Sequence, residues 1–426
     1  MLRICGRFLL ARPSISDAIL PLHVYHRVVS NMKKSPTYYA ILLSAFTFLL
    51  APADAQSSPT FSCTVSDSIC TALGQFYAAT GGTYWTYRTG WSSAAQGVAT
   101  NYCTFYGVYC TTTTYGLSVG QYPYQISLYS NNLSGTLPST IGSLSTLTYL
   151  SLGYNSLSGT IPPMLWSLSR LQSLDVVNNF LSGNIIAGAT SLPALTYLGL
   201  GQNSFTGSLP ASINTIMPSL QYLYTYGNTG ISGSLPAALF SMSRLTDLDS
   251  WGNSFSGTIP GQFNSTSLTW ISLSSSQLTG SIPTSISRLT SLAYLDLSGN
   301  QLGGSLPNSM TQLSALQYLY LSSNMLNGTL LANLIGMQSM LGLSLDNNNF
   351  GGALTSTVWP VNIQYLSLMS NSFNGSIPSS LGSIQSLTYL DVTYNKLSGA
   401  LPASWYSGTP FANIKYLYVI CVTRIC

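Results

Sequence analysis

Two aspartates, Asp247 and Asp249, come closer to a catalytic pair than any other residues of this chain. They flank Leu248, and alternate residues of a β-strand point to the same face, so their carboxyl groups would lie ~6–7 Å apart. Many glycosidases hold two carboxylates near this separation, one as a proton donor and the other as a base or nucleophile. The pair therefore raises the question of glycoside hydrolysis.

Other residue types that such chemistry uses are missing around the pair. Residues 56–426 contain no glutamate and no histidine, since His23 and His26 lie upstream. The cysteines cluster towards the two ends, so none is left to act as a nucleophile. An aspartate pair on an open, solvent-facing strand also lacks the burial that raises a carboxyl pKa. We expect that the chain is not an enzyme and that it holds no metal and no cofactor.

Aromatic residues recur around the aspartates in a pattern that favours binding. Tyrosine supplies contact area and a polar tip at low entropic cost, as it does in antibody paratopes. A ladder of tyrosines that only stiffens a sheet is the alternative. Departures from the local sequence pattern concentrate near the aspartates, and the candidate ligand-binding residues are Tyr222, Tyr224, Tyr226, Asp247, Asp249, Trp251, Trp270, Tyr294, Asp296, Tyr318 and Tyr320.

A motif that recurs every 23 to 25 residues would position these side chains. Its clearest copy, Leu292 to Pro307, contains two leucines that flank one residue, followed by Asn300, Leu302 and Gly304. Self-similarity at this period is the signature of a leucine-rich repeat solenoid. The Asn position is filled by Asn131, Asn155, Asn179, Asn203, Asn228, Asn253, Ser276 (the one substitute), Asn300, Asn324, Asn348, Asn371 and Asn395.

Each repeated position has a physical role. The paired leucines would lie on a short strand and point into the core. The Asn side chain can satisfy buried backbone groups with both its carbonyl and its amide, so the shorter Ser276 should make the weakest contact. A glycine fixed in register, as at Gly304, implies a positive φ or a close approach between coils. One extra residue between Asn228 and Gly233 predicts a local bulge.

The four residues that begin at Gly304, Gly-Ser-Leu-Pro, and their counterparts resemble the L-x-G-x-[LI]-P motif of plant-type leucine-rich repeats. That family includes receptor-like ectodomains, polygalacturonase-inhibiting proteins and kinetoplastid surface antigens. The resemblance implies an α/β-type repeat solenoid: a right-handed superhelix of about 12–13 coils. It also implies a parallel concave sheet, second short strands after each glycine, and disulfide-bonded caps.

Six of the seven cysteines lie after residue 55, and their even number fits disulfides made in an oxidising compartment. A zinc site is less favoured, because six residues separate the members of each N-terminal pair and no histidine assists. Sequence alone allows three pairings among the first four. The segment 103–110 resembles the C-x-W-x-G-V-x-C of plant-type caps, with Phe105 replacing tryptophan, which implies a Cys103–Cys110 bridge and a Cys63–Cys70 bridge. The disulfide candidates are Cys63, Cys70, Cys103, Cys110, Cys421 and Cys426.

The amino-terminal region has the pattern of a secretory signal. Residues 32–55 contain Lys33 and Lys34, an apolar run over 38–51 and an Ala-x-Ala site at 53–55. The apolar run, about 14 residues, is shorter than the ~20 of a membrane-spanning helix. We predict a start at Met32, with residues 1–31 a spurious or non-structural extension; an uncleaved signal-anchor is the alternative. The remaining regions are a cap at 56–115, repeats at 116–410, and a terminal coil or C-terminal cap at 411–426.

Charge and glycosylation signals further limit the partners. Only 5% of residues are charged, and residues 56–426 carry seven basic and seven acidic side chains. A neutral chain without a basic patch is a poor nucleic-acid binder. Four N-x-[ST] sequons lie outside the candidate binding columns and would leave that face open: Asn132, Asn264, Asn327 and Asn374.

We therefore expect a secreted or cell-surface module that binds an extracellular protein or glycan through its concave face. Membrane association would arise only through a signal-anchor at residues 38–51 or through an unseen tether. Two other hypotheses stay open: a structural or antigenic surface coat protein without a dedicated ligand, and an inhibitor of an extracellular hydrolase. The family resemblance does not choose between them, because its partners are diverse.

Overall fold

The computed structural model describes residues 68–91, 102–115, 118–330, 334–354, 358–405 and 413–419. The predicted leader and Cys63, Cys421 and Cys426 lie outside these ranges. Among the residues described, no helix combines the length and the apolar composition that a membrane span requires.

Short strands dominate the described chain, because each coil contributes one strand from its paired leucines and a second from the segment before its glycine. Two α-helical segments accompany them, α1 (Ser68–Ala79) and α2 (Ile213–Ile216). The strands of the first half are β1 (Val108–Tyr115), β2 (Ser118–Ser127), β3 (Ser134–Thr136), β4 (Tyr149–Ser151), β5 (Ser156–Thr160), β6 (Ser173–Asp175), β7 (Phe180–Asn184), β8 (Tyr197–Gly199), β9 (Ser204–Gly207), β10 (Tyr222–Tyr224), β11 (Gly230–Ser234), β12 (Asp247–Asp249) and β13 (Ser254–Thr258). Those of the second half are β14 (Trp270–Ser272), β15 (Gln277–Gly280), β16 (Tyr294–Asp296), β17 (Gln301–Ser305), β18 (Tyr318–Tyr320), β19 (Met325–Thr329), β20 (Gly342–Ser344), β21 (Asn349–Ala353), β22 (Tyr365–Ser367), β23 (Ser372–Gly375), β24 (Tyr389–Asp391), β25 (Lys396–Leu397) and β26 (Tyr416–Tyr418).

The strands form two sheets that run along the stack of coils. A 14-stranded sheet begins β1-β2-β4 and continues through the even-numbered strands to β26, and a 12-stranded sheet contains the odd-numbered strands from β3 to β25. Neighbouring coils pair in parallel, whereas β1 and β2 form an antiparallel hairpin. The repeat solenoid and its second short strands are thereby confirmed. The second strands begin before the repeated glycine and all but β25 include it, as Gln301–Ser305 includes Gly304, whereas the resemblance implied strands after the glycine. We call the outward side of the 14-stranded sheet the concave face and the 12-stranded sheet the second sheet.

The core lies between the sheets and is built from the repeated leucines. Leu295 and Leu297 are each 1% exposed, and the corresponding leucines of the other coils are similarly buried, except Leu417 of the last described strand, which is 43% exposed. At the N-terminal end, Phe76 of α1, Trp85 and Trp91 form an aromatic cluster. Phe105 packs on Trp91 with ring centroids 5.0 Å apart, so the aromatic position of the cap motif is filled by a smaller ring that keeps the contact.

The cap also contains the disulfide implied by the resemblance. Cys103 and Cys110 are bonded, with their Cα atoms 5.5 Å apart. Cys70 is disulfide-bonded as well. Because Cys63 lies outside the described residues, the Cys63–Cys70 pairing stays a prediction, as does any bridge between Cys421 and Cys426.

A ladder of asparagine side chains ties successive coils together. Asn324 donates from its amide to the carbonyl oxygens of Leu297, Leu321 and Ser322 at 3.0–3.3 Å, and its Oδ1 accepts from the Leu302 amide at 2.9 Å. Asn348 and Asn395 make the same set of bonds. The predicted role of the Asn column is confirmed: it satisfies backbone groups where the chain leaves each strand.

The backbone takes a left-handed turn immediately before each of these positions. Residues as different as Tyr154, Asn178 and Ser323 have φ near +56° there. L-residues other than glycine, Asn and Asp rarely adopt this region. The repeated glycine also has positive φ, as predicted; at Gly183 an added Cβ would lie 2.8 Å from the Thr160 methyl of the preceding coil.

Two irregularities appear where the sequence predicts them. The Ser276 hydroxyl makes one long hydrogen bond, 3.4 Å, to the Asn253 carbonyl, and so is a weaker rung than an asparagine. The extra residue after Asn228 is absorbed by a turn in which the Ile231 amide donates to the Asn228 carbonyl at 2.9 Å. Strand β11 then resumes the usual register, with Ile231 opposite Gly207.

Substitution of Asn324 by alanine should therefore destabilise the protein strongly. It removes four hydrogen bonds and takes the Asn324 acceptor from the buried Leu302 amide, while the three carbonyl oxygens each keep another donor. An amide left without a partner costs about 1–3 kcal/mol and each lost hydrogen bond about 1 kcal/mol, so we expect a loss on the order of 3 kcal/mol. The free energy of unfolding by urea measures it. Ser276→Ala is the matched control and should cost less than about 1 kcal/mol; equal losses at the two positions would contradict the ladder.

Candidate ligand-binding face

All eleven candidate residues lie on one part of the concave face. They belong to five successive strands, β10 to β18 of the 14-stranded sheet, or follow them by two residues. The strands pair in register, so Asp247 lies between Tyr222 and Trp270, and Tyr294 lies between Trp270 and Tyr318. The structure thus brings together residues that are 98 positions apart in the sequence, from 222 to 320.

Two stacked aromatic pairs flank the aspartates. The rings of Trp270 and Tyr294 are 5° from parallel, with centroids 3.5 Å apart. Those of Tyr226 and Trp251 are 10° from parallel, with centroids 5.5 Å apart. Flat ring faces arranged in this way can receive a cation or the apolar side of a ligand.

The aromatic side chains differ in how much surface they offer. Tyr224, Tyr294 and Tyr320 are only 7–9% exposed, so they act mainly in packing, whereas Trp251 is 38% exposed. The tyrosine ladder is therefore partly structural, as the alternative interpretation predicts.

Glycines at two positions of the concave face make room for the larger rings. An added Cβ would lie 2.8 Å from the ring of Tyr226 at Gly201, and 2.9 Å from the ring of Tyr318 at Gly342. Neither glycine was predicted to have this role. A glycine at an outward position, next to a large aromatic residue of a neighbouring repeat, is the sequence signal that could have indicated this role.

The aspartates are more buried than their strand position suggested. Burial raises the pKa of Asp249 to about 7, an effect that Asp296 and Asp247 reinforce and the Ser272 hydroxyl opposes. Burial likewise raises the pKa of Asp247 to about 6, against a hydrogen bond with Thr246. The expectation that these carboxyl groups lack the burial needed to raise their pKa values is wrong. The paired strands place Tyr224 beside Asp249 and Trp270 beside Asp247.

Asp249 differs from the other aspartates in its hydrogen bonds. The Asp296 Oδ1 accepts from the amide and hydroxyl of Ser298, two residues later, at 2.9 and 2.6 Å. Asp391 has the same pair of donors on Thr393. At Asp249 the corresponding residue is Trp251, which has no hydroxyl, and the Oδ1 atom is buried without a hydrogen bond of good geometry. The buried Asp249 oxygen that lacks a hydrogen bond therefore lies close in sequence to Trp251, the most exposed tryptophan of this face.

Charges are segregated between the two sides of the stack. Every aspartate within the described ranges lies on the concave face, the remaining three being Asp175, Asp346 and Asp391. The lysines and arginines of the same ranges lie in the cap, in the connections or on the second sheet. Within that part of the chain, no three acidic, His or Cys side chains lie close enough together to share a metal ion.

The four sequons lie away from this face, and all four asparagines are exposed. The Asn132 amide donates to the Tyr84 carbonyl at 2.9 Å, and the Asn264 Oδ1 accepts from Arg288 at 3.1 Å. Asn327 and Asn374 lie on β19 and β23 of the second sheet. Glycans at these positions would leave the concave face accessible; that they are used stays a prediction.

The raised pKa values predict that stability falls as the pH rises from about 4 to about 7. An aspartate in the unfolded chain titrates near 3.9, so between these limits the folded state binds more protons than the unfolded state. We expect Asp249→Asn, which mimics the protonated form, to raise the thermal midpoint at pH 8 by about 2 °C and to flatten its pH dependence. Thermal unfolding between pH 4.5 and 8 measures both.

Asp249→Glu is the control, because it keeps a titrating carboxyl group and should retain the fall with pH. An Asn variant that melts with the wild-type pH profile would show that the Asp249 carboxyl group is not held protonated by its surroundings.

Comparisons with known proteins agree with this architecture. The family model described as "Leucine rich repeat" matches residues 124–181 and 243–302, and a second model, "Leucine Rich Repeat", matches residues 315–337, 362–384 and 386–407. A search of curated proteins gives no match.

Several solved structures are similar. The ectodomain of the Arabidopsis receptor kinase HAESA, in complex with an N-terminal extended IDA peptide hormone, is 30% identical; the alignment covers 69% of this chain and 49% of that one, with a TM-score of 0.63. The ectodomain of GASSHO1/SCHENGEN3 from Arabidopsis thaliana, in complex with CASPARIAN STRIP INTEGRITY FACTOR 2, is 28% identical, with coverages of 76% and 41% and a TM-score of 0.66. This chain thus spans about half the length of these receptor ectodomains.

A plant ice-binding protein is 25% identical, with coverages of 78% of this chain and 96% of that one and a TM-score of 0.54.

The same assignment follows from the matched repeats, the parallel sheet, the asparagine ladder and the cap disulfide. The chain belongs to the plant-type leucine-rich repeat proteins.

Proposed function

We propose that this chain is an extracellular binding module that recognises a protein partner through the concave face. The observation that carries the proposal is the convergence of exposed Trp251, stacked aromatic rings and partly buried aspartates on five neighbouring strands. Tryptophan and tyrosine are the residues most enriched among binding hot spots. The similar HAESA and GASSHO1/SCHENGEN3 ectodomains were solved in complex with a peptide hormone and with CASPARIAN STRIP INTEGRITY FACTOR 2, respectively, which supports a protein partner here as well.

The same face would also suit a glycan, because flat aromatic rings stack on the apolar side of a sugar. We favour a protein, since six of the described aspartates lie on this face and would attract basic side chains, which a protein carries and a neutral sugar does not. The predicted signal peptide, the cysteines and the sequons support an extracellular or cell-surface location.

We also propose that the face binds without catalysing a reaction. The raised pKa values of Asp247 and Asp249 meet one requirement of acid–base chemistry. Their arrangement is less suited to glycoside hydrolysis. The two carboxyl groups lie on one side of one strand rather than on opposite sides of a cleft.

The remaining hypotheses are compatible with parts of the structure. The burial of Tyr224, Tyr294 and Tyr320 favours a stiffened sheet, which a surface coat protein without a dedicated ligand would also need. An inhibitor of an extracellular hydrolase would use the same concave face, so it differs from our proposal only in the partner.

Trp251→Ala should weaken binding of the partner at least tenfold, as expected when a tryptophan hot spot is removed. The partner is first captured by cross-linking the secreted chain to extracellular proteins and then purified, and its affinity is measured by biolayer interferometry. The thermal midpoint should stay within about 2 °C of wild type, because much of the ring is already exposed.

Phe180→Ala is the matched control. This ring is 65% exposed on strand β7 of the second sheet, so its removal should leave affinity unchanged. A partner that binds both variants as it binds wild type uses another surface, and the proposal would then be wrong.

A second candidate function, ice binding, is favoured by the second sheet. The residue after each repeated glycine is exposed, and its side chain usually carries a hydroxyl group. The column reads Thr136, Thr160, Asn184, Ser208, Ser234, Thr258, Ser281, Ser305, Thr329, Ala353, Ser376 and Ala400. Parallel strands place such residues about 4.8 Å apart, so the column is a regular, uncharged row of small polar groups. The similarity to a plant ice-binding protein, which this chain covers almost completely, supports this alternative.

Replacement of Thr258 by tyrosine should interrupt that row and abolish ice-recrystallisation inhibition if the second sheet binds ice. The assay compares wild type with Thr258→Tyr and Trp251→Ala at equal concentration in a cooled sucrose solution. Activity lost in the first variant and kept in the second would place ice binding on the second sheet. A wild-type protein with no effect on ice grain size would exclude this function.

A further inference from the structure

We infer that the concave face contains a subsite for a basic side chain of the protein partner, with Asp249 as the acceptor and Trp251 and Trp270 as aromatic walls. This inference rests on the proposed function and specifies the chemistry of its ligand. The group that fits best is the guanidinium of an arginine.

The first reason is the unsatisfied oxygen of Asp249. A buried carboxylate oxygen without a hydrogen bond costs free energy. It is retained in folded proteins where a ligand, an ion or a water molecule can supply the missing interaction. The sequence creates this condition locally: Trp251 stands where Ser298 and Thr393 supply hydroxyl donors to Asp296 and Asp391. Ser272 and the Trp251 backbone also interact with the Asp249 carboxyl group, but its buried Oδ1 atom lacks the hydroxyl donor that the other two aspartates have.

The second reason is the charge around that oxygen. Asp247 lies on the same strand, and Asp296 lies two strands away, in register through Ser272, at a distance of roughly 10 Å. No lysine or arginine within the described ranges lies in the outward columns of this face. A cation would be attracted by all three carboxyl groups, and an anion would be repelled by them.

The third reason is the aromatic surroundings. Trp251 follows Asp249 by two residues and stacks on Tyr226, while Trp270 lies on the neighbouring strand and stacks on Tyr294. Tryptophan is the strongest of the aromatic partners for a cation. An arginine fits better than a lysine, because its planar guanidinium can stack on a ring and donate to a carboxylate at the same time.

A divalent metal ion fits these residues less well. It would need several oxygen ligands within about 2.6 Å, and the three carboxyl groups are too dispersed for that in the described structure. A single extended side chain can instead pass between the aromatic rings and place its charged end at one carboxylate.

Binding at this subsite should depend on pH, because only an ionised carboxylate attracts the cation strongly. The groups that face Asp249 are Asp247 on its own strand, Tyr224 on β10, Ser272 on β14 and Asp296 on β16. Burial raises the pKa of both Asp249 and Asp296 above the ordinary value. Affinity should therefore increase as the pH rises from 5 to 8, with release of protons on binding.

The test uses the secreted chain and three capped, fluorescein-labelled hexapeptides that contain two Arg, two Lys or two Gln residues among glycines. Fluorescence anisotropy at pH 8 and low salt measures their affinities. We expect the Arg peptide to bind more tightly than the Lys peptide, the Gln peptide not to bind, and the affinity of the Arg peptide to fall at least fivefold at pH 5.

Asp249→Asn should weaken binding of the Arg peptide at least fivefold. The matched control is Asp391→Asn, which removes the same charge from the same face four strands beyond β16 and should change the affinity less than twofold. Equal losses in the two variants would indicate only a general attraction to a negative face and would overturn the inference. So would equal binding of the Arg and Gln peptides, or no binding of either.

The captured partner separates this inference from the proposed function. If Trp251→Ala abolishes its binding while Asp249→Asn leaves it unchanged, the concave face is the binding surface but the basic-side-chain subsite is wrong. If neither variant affects the partner, both proposals fail. If both variants weaken binding, and the Arg peptide competes with the partner, both are supported.

Discussion

The structure depends on how the backbone groups are satisfied where the chain leaves each short strand. Three residues of strand are followed by a left-handed turn, and the carbonyl groups at this point accept hydrogen bonds from asparagine side chains. In most coils one asparagine donates to several of these groups and accepts from another; Asn324, for example, makes three donor contacts and one acceptor contact. Because these bonds reach into the preceding coil, each asparagine fixes the spacing between coils as well as its own turn.

That constraint explains why the candidate site could form on this scaffold. The leucines, asparagines and glycines occupy the inward and turning positions, which leaves the outward positions of the 14-stranded sheet free to vary. Because the strands pair in register, residues at the same position of successive repeats become neighbours in a row, as with Tyr222, Asp247 and Trp270. A binding surface assembled in this way is held by the whole stack, so its side chains lie on a rigid support and lose little entropy when a ligand binds.

The repeated features of the fold could be predicted from the sequence, because each is a local requirement that recurs. The core leucines, the asparagine contacts, the positive φ of the repeated glycines, the weak rung at Ser276 and the turn after Asn228 all follow from one coil and its period. The left-handed residue before each asparagine was not predicted. Tyr154, Asn178 and Ser323 share no side-chain property that would reveal it; tertiary hydrogen bonds impose the conformation on whichever residue stands there.

The candidate site was only partly predictable, because its properties arise between coils rather than within them. Its location follows from the sequence, but the surroundings of Asp247 and Asp249 depend on the strands paired with theirs, β10 and β14, and on Asp296 of β16. The missing hydrogen bond at Asp249 is likewise a matter of context. A Ser or Thr two residues after an outward aspartate supplies a hydroxyl donor at Asp296 and Asp391, whereas the tryptophan at the same place after Asp249 has no hydroxyl group to donate. A single departure from the repeat thus leaves a buried acceptor without a hydrogen bond at Asp249, and the rest of the stack maintains it in that condition because its strand cannot shift without breaking the asparagine ladder.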